Sequence, residues 1–591
     1  MSFLQGLALG LAFLNLICPI LSANLDFNAR VVIVGGGPSG IHMASALIKR
    51  GFTNVTVLDK GPPPNDTDLV YGKTHTHFEE ATRDTPHEMG TCYLSNSYRN
   101  IPRLVEEYLG DDYLIMPGGD KYKSMLIAAP GQDNILDQKA MLQGDLGWLL
   151  GLYKSLRYSK LITPGYILGT GLIADQLIKY TLLRESIIGD TYHKLPPEPT
   201  EDQLKLLNMT FAELLIQHDM KEVVDSTGIG FGSYGYAFSV PALYGLWFVT
   251  PIDMQSLMSE KLINTTWASS VRSIKTCYGT LWKAMIEKDG INIRHDTEVV
   301  HIDRNLKDQS KPIQISLKGG EVIGADHLVS AIPLGADWKR IVQDSSPLEQ
   351  EACKSTQTTG LAVQLYKTAF KDGKCFQKKS IPKLAQENGE QGLTFYLESL
   401  IPRYTPDPQA AKKVYAERES VRYFRPELAD QMSARYTVAY QYLPKYESNV
   451  RPIINASKRF ITDPAETICP TPKEGINLQT QRNWDYFPHF TIEAIQRLLP
   501  WRMFKASVAG KERTWYIGDS VSFESAEDVV GYNDQLLDEI LGPLPKPWPR
   551  WWLLILVGVV VCCLCIAGFA SRSSYSLVAV DEQGTARPLN P

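Results

Sequence analysis

Cysteine is scarce in this chain and follows no pattern. Nine cysteines occur among 591 residues, and the five between the two ends are Cys92, Cys277, Cys353, Cys375 and Cys469. Their spacing lacks the paired arrangement of a zinc site, and their odd number permits at most two internal disulfides. There is no excess of positive charge. Sixty Lys and Arg stand against 65 Asp and Glu, a net charge of -5. That balance gives no electrostatic reason to expect a nucleic-acid partner. Internal repeats and low-complexity tracts are also missing, which argues against a solenoid or an extended disordered arm.

Charge is absent altogether from residues 1–23 and 551–570. The first stretch is apolar and ends in the small residues Ser22 and Ala23, as a secretory signal peptide does. It has no basic start, so an uncleaved N-terminal anchor is the alternative. The second stretch has the length of a bilayer-spanning helix, with Trp548, Trp551 and Trp552 where an interfacial belt would lie. These features predict a single-pass type I membrane protein. Residues 24–550 would be lumenal or extracellular, and 571–591 a solvated cytosolic tail. Sequons at Asn54, Asn65, Asn208, Asn264 and Asn455 agree with that side of the membrane. Asn54 abuts a predicted core strand. In the tail, Tyr575-Ser576-Leu577-Val578 fits a tyrosine-based sorting signal, which makes an adaptor at Tyr575 a candidate partner. Residence would then be endosomal or lysosomal, or at the plasma membrane.

The remaining sequence has the patterning of a folded enzyme. Val31–Val34 is a β-branched run, as in a buried parallel strand. Ile41–Arg50 is helical in character and Gly51 ends it. Val55–Leu58 is a second buried run. Between strand and helix lies Gly35-Gly36-Gly37-Pro38-Ser39-Gly40, a G-x-G-x-x-G in the context that the motif requires. Gly35 permits the tight turn, Gly37 the approach of a pyrophosphate, and Gly40 the packing of helix on strand. The helix start at Ser39 supplies free N–H groups for phosphate. Asp59, with Lys60 beside it, ends the second strand 19 residues after Gly40. A carboxylate there can accept hydrogen bonds from ribose hydroxyls. This unit alone admits NAD or FAD.

The residues that follow decide for FAD. Val70-Tyr71-Gly72-Lys73-Thr74 and Thr76 resemble a segment of the flavin amine oxidase superfamily, which includes amine and polyamine oxidases and related desaturases. There the resemblance implies contact with the FAD pyrophosphate and ribityl; Tyr71 stands where the family has a glycine. His87–Leu94 resembles the stretch that runs beside the flavin. Glu298–Asp303 resembles the strand whose backbone meets the adenine, with Val299 in the contacting place. Asp326–Leu334 resembles a further family strand. The segment from Thr514 to Ile540 resembles the closing FAD motif. It implies roles for Gly518 and Asp519 at the pyrophosphate or ribityl, and for the N–H groups of Val529 and Val530 at flavin O2. A positive helix end there would favour the reduced, anionic flavin. The segments at Lys73, His87 and Trp484 resemble a less characterised branch, distantly like fungal cyclopiazonate dehydrogenase.

Other signals are weighed and set aside. Gly169–Ala174 fits a second dinucleotide motif without the strands to support it. His75, His77 and His87 lie in a segment that resembles a flavin loop, and no metal is expected. The family's covalent members use a cysteine shortly before the closing motif. None occurs between Cys469 and Cys562, so the resemblance implies non-covalent FAD. No catalytic base stands out; Trp484, Tyr486, Phe487 and Tyr93 are the pocket candidates.

The expected architecture is α/β. A Rossmann-like FAD-binding domain is assembled from 28–110, 270–340 and 500–545. An interleaved α+β substrate domain comes from 111–269 and 341–499. The reaction implied is oxidation of a C–N or C–C bond of a small organic molecule with oxygen as acceptor. A lipid or polycyclic desaturase and a catalytically inactive flavin-binding receptor or adhesion protein are the alternatives.

Overall fold

The computed structural model describes residues 26–78, 86–110, 176–220, 240–253, 271–368, 435–443 and 476–544, apart from 93, 96 and 275, with shorter pieces elsewhere. The chain divides into two units, Met1–Leu541 and Gly542–Pro591.

The first unit opens on β1 (Val31–Val34), which leads through the glycine turn into α1 (Pro38–Lys49) and then β2 (Val55–Leu58). Pro38 sits at the first helical position, where its missing N–H leaves no bond unmade and its fixed φ suits the helix. Gly51, at φ +99°, turns the chain out of α1. A small antiparallel sheet follows, made of β3 (Asp68–Tyr71), β4 (Thr74–Phe78) and β5 (Pro86–Glu88). Then come α2 (Asn100–Tyr108), α3 (Ala242–Phe248) and α4 (Tyr278–Asp289). β6 (Asn292–Arg294) precedes an antiparallel trio, β7 (Val299–Asp303), β8 (Ile313–Leu317) and β9 (Val322–Ala325). The series ends with β10 (His327–Ser330), the long strands β11 (Thr356–Thr368), β12 (Arg435–Leu443) and β13 (Asn477–Phe490), β14 (Thr514–Tyr516) and the closing helix α5 (Ala526–Leu541).

The main sheet has the order β6-β2-β1-β10-β14, and every pairing in it is parallel. Its strands come from parts of the chain almost 500 residues apart. β1 is buried on both faces, which is why it reads as a continuous β-branched run rather than an alternating one. The second large sheet carries β13, β11 and β12, with β11 antiparallel to both neighbours. Its far edge includes Met125–Ala128, a strand within the stretch 111–269 expected to supply part of an α+β domain. The residues around 136–175, including Gly169–Ala174, lie outside the described ones.

A buried ion network ties these parts together. The Arg304 guanidinium, fully buried just past β7, meets Glu349 at 2.7 and 2.8 Å and Asp344 at 3.0 Å. Tyr516 on β14 donates its hydroxyl to Glu349 at 2.7 Å, and the Trp338 indole donates to the same oxygen at 3.1 Å. Each polar atom that burial strips of water is given a partner by this arrangement.

In the second unit, Val578–Val580 pairs antiparallel with Ala586–Pro588. Val578, the last residue of the tyrosine motif, is the first residue of this pairing. Residues 1–25 and 551–570 lie outside the described residues. Among those described, no helix is long and apolar enough to cross a membrane.

Candidate active site

The glycine turn after β1 is shaped by contacts that admit no side chain. A Cβ on Gly40 would fall 2.0 Å from the Gly35 carbonyl oxygen. Gly35 itself, at φ +115°, lies against Ala331, and Gly518, at φ +91°, faces the same Ala331 carbonyl. One residue after β10 thus receives the turn after β1 on one side and the turn after β14 on the other. Gly37 ends the turn as the N-cap of α1. Gly72 approaches it so closely that a Cβ on Gly72 would lie 2.9 Å from the Gly37 Cα. The helix start, with its free N–H groups and positive dipole end, therefore faces a backbone-lined cradle suited to phosphate. The Ser39 hydroxyl turns away from it and donates to Asn533 of α5 at 3.3 Å.

Asp59 follows β2. Its carboxylate borders Gly36, where an added Cβ would lie 2.6 Å from Oδ2, and Oδ1 accepts the Gly61 N–H at 3.1 Å. His295 Nδ1 is buried 3.9 Å from Oδ2 without a hydrogen-bond partner. A carboxylate and an unpaired imidazole nitrogen beside a glycine leave polar capacity for ribose hydroxyls. Lys60 is exposed. Val299 on β7 is buried, and the chain just before it returns to Asp59 through the Thr297 N–H, which donates to the Asp59 carbonyl at 2.8 Å.

Lys73, one residue after Gly72, reaches across the cradle. Its Nζ is 2.5 Å from Asp519 Oδ2 and 2.9 Å from Glu524 Oε2. Glu524 Oε2 also accepts the Phe487 N–H at 2.8 Å. Burial pushes the Glu524 carboxyl up to about 8, with Lys73 pulling against the shift and Asp519 adding to it. Lys73 itself is held above the usual ammonium range by its two acids, against the opposing effect of burial.

The aromatic candidates separate. Trp484 donates its indole N–H to the Met89 carbonyl at 3.0 Å and packs with Met89, Leu361 and Tyr440. The Tyr486 ring lies 5.5 Å from Lys73 Nζ, within cation–π range. Phe487 sits in a β-bulge: between the pairs Gln357–His489 and Thr359–Tyr486, two residues of β13 oppose one of β11. Its φ of +50° re-aims the ring into a buried aromatic group. There it meets His489 at 4.5 Å, Phe523 at 5.1 Å and Tyr244 at 5.9 Å between centroids. Tyr93 lies outside the described residues. Tyr244, Phe523, His489 and Glu524 escaped the sequence reading. Tyr244 lies in an aromatic-rich stretch, and Glu524 within the segment that resembles a closing motif; those were the available signals.

The start of α5 departs from expectation in one respect. The Val529 N–H donates to the Ser525 carbonyl at 3.1 Å, so it is an intrahelical donor rather than an open one. Val529 and Val530 are both buried in the first turns. Before them, Glu527 accepts the N–H groups of Arg99, Asn100 and Ile101 at the start of α2. Asp528 meets His193 Nδ1 at 3.1 Å and the Trp247 indole at 3.0 Å, while His193 Nε2 meets Ser97 at 3.2 Å. This serine–histidine–aspartate order is buried throughout, and it ties the start of α5 to α3 through Trp247.

Asp68, His75 and His77 could geometrically hold a metal ion. Arg482, however, donates to His75 Nδ1 at 3.1 Å. That donor fixes the tautomer, leaving Nε2 to donate to Asp68 at 2.6 Å, so its lone pair is not offered to an ion.

The glycine cradle, the acid beside Gly36 and the Lys73–Asp519 pair fit FAD in the places expected of a dinucleotide: Asp59 for ribose, the start of α1 for pyrophosphate, and Lys73 with Asp519 for the groups beyond it. Comparison with known proteins agrees. A search of curated proteins returned no match. The solved structures include a fatty acid isomerase from P. acnes, similar at a TM-score of 0.58 and 16% identity over 87% of this chain and 99% of that one. Wild-type putrescine oxidase bound to putrescine gives 0.53 and 13% over 87% and 99%. Cyclohexylamine oxidase from Brevibacterium oxydans gives 0.54 and 13% over 87% and 99%. These likenesses show the fold. The family model of the flavin containing amine oxidoreductases matches residues 38–408, and the chain belongs to that family as an FAD-dependent oxidoreductase.

Proposed function

We propose that the protein oxidises a C–N or C–C bond of a small organic molecule with an apolar body, using oxygen as the acceptor. The observation that carries the reading is the aromatic group of Phe487, Phe523, Tyr244 and His489, which the Glu524–Phe487 hydrogen bond ties to the Lys73–Asp519 end of the cradle. FAD, when bound, supplies a two-electron acceptor held without a covalent bond. The buried aromatic group backs the site with an apolar wall and keeps water away. Burial pushes His489 down to about 4, so this wall is uncharged at neutral pH and does not repel an ammonium group. Positioning dominates such a transfer, which accords with the lack of an evident side-chain base.

The test is anaerobic. The purified, yellow protein is mixed with a panel of amines, then with fatty acids and polycyclic compounds, and the flavin absorbance is followed. Bleaching by amines, and recovery on admitting air, is the expected result. Bleaching by lipids or polycycles alone would establish the desaturase reading. A flavin that no compound bleaches would favour the inactive receptor. Heating should release the flavin into solution.

A type I topology accompanies this reading. Asn54, Asn65, Asn208 and Asn455 are all exposed, as glycan attachment requires, and Asn54 is accessible despite its neighbouring strand. Glycosidase treatment should increase gel mobility, and a tail antibody should require permeabilised cells. Tyr575→Ala should move the protein from endosomes or lysosomes to the cell surface. An unglycosylated, soluble product would refute the topology, and an unmoved variant would refute the sorting signal.

A further inference from the structure

Two carboxylates share one ammonium in the cradle. Among the described residues, Lys73 is the cation ion-paired to Asp519 and to Glu524. The groups facing Glu524 come from each element around it. The turn between β3 and β4 gives Lys73, the segment after β14 gives Asp519, and β13 gives the Phe487 N–H and the Tyr486 ring near Lys73. α3 gives Tyr244, which packs on Phe487 and Phe523. The Glu524 side chain is 4% exposed and that of Asp519 16%, so Glu524 is the acid that water stabilises less. Gly72, next to Lys73, abuts the Gly37 N-cap where the pyrophosphate belongs.

We propose that, in the alkaline range, Glu524 takes up one proton when the cradle binds FAD. The inference rests on reading this cradle as the FAD site. The pyrophosphate brings further negative charge to the ammonium that the two acids already divide. Like charges nearby favour the neutral form of a carboxyl, and the more buried of the two acids yields first. Without cofactor, Glu524 loses its proton near a pH of about 8; with cofactor it keeps the proton to higher pH. Linkage then fixes the sign: between those two values the bound state holds the extra proton, so FAD affinity falls as pH rises. Below the lower value both states are protonated, and affinity is flat.

The test uses the full-length protein loaded with FAD. It is diluted at a series of values from about pH 6.5 to about pH 9.5, and the freed flavin is read by fluorescence at equilibrium. In the wild type the dissociation constant should be level at the acid end and rise by up to about tenfold per pH unit above about pH 8. Glu524→Gln should be level throughout. Asp519→Asn keeps Glu524 but removes a repelling charge, so it should shift the onset of the rise to lower pH, whatever its absolute affinity. A wild-type curve without the rise overturns the inference while leaving the cofactor assignment intact. So does a rise of equal slope in Glu524→Gln, or an unmoved onset in Asp519→Asn. A wild-type protein that binds no FAD overturns the cofactor assignment and this inference together.

Discussion

Lys73→Met should weaken FAD binding on the order of a thousandfold. The substitution keeps the length of the side chain and deletes the one charge that Asp519 and Glu524 share. Breaking a buried ion network by removing one partner costs about 3–5 kcal/mol, and each 1.4 kcal/mol is a factor of about ten. The apoprotein loses less than the complex, because at neutral pH Glu524 already holds its proton and only Asp519 is left without its cation. The pyrophosphate cannot hold a proton in this way. Flavin fluorescence on dilution gives the ratio of affinities, and thermal unfolding of the apoprotein gives the smaller structural effect. Affinity within threefold of wild type would remove Lys73 from the cofactor site.

Arg304→Met should destabilise the fold by about 3–5 kcal/mol, the expected effect of leaving a buried carboxylate without its cation. Glu349 would then keep only the Tyr516, Trp338 and local backbone donors. The pH dependence gives a second reading. In the wild type, hydrogen bonds and charge from Arg304 outweigh burial and hold Glu349 below its ordinary range. Its folded pKa is depressed, so the stability it confers is complete above the unfolded value and is lost as pH falls through the folded one. In the variant, burial is opposed only by the remaining hydrogen bonds, and Glu349 takes a proton to fold. The deficit relative to wild type, measured by urea unfolding, should therefore be larger at about pH 8 than at about pH 5. A deficit independent of pH would mean that lost packing, not the stranded carboxylate, sets the effect.

What the sequence discloses follows the distance over which a feature is built. The β1–α1–β2 unit is local: the strand, glycine turn, helix and Asp59 fall within 30 residues, and each announces itself by spacing. Lys73, Asp519 and Val299 needed a resemblance, because no local pattern marks them. Glu524 and Tyr244 stayed hidden. Glu524 acquires its character from burial and from its pairing with Lys73, 451 residues earlier in the chain, and Tyr244 from a bulge in β13 that aims Phe487 at it. A bulge of this kind has no glycine here to betray it. The second large sheet was also partly unread, since Met125–Ala128 is a short apolar run, and such runs suit strand and buried helix equally.

The contact of Gly35 and Gly518 with a single residue, Ala331, has a consequence for synthesis. The turn after β1 leaves the ribosome long before the turn after β14, which lies almost 500 residues further along the chain. At about 5–20 residues per second, the nascent β1–α1–β2 unit waits roughly half a minute or longer for the strand that completes its sheet. During that interval first β1 and then, once it is made, β10 offers an unpaired edge to other chains. Production of this protein should therefore depend on chaperones that shield partly made sheets, and fragments ending before residue 514 should be recovered as aggregates rather than as a smaller flavin-binding protein.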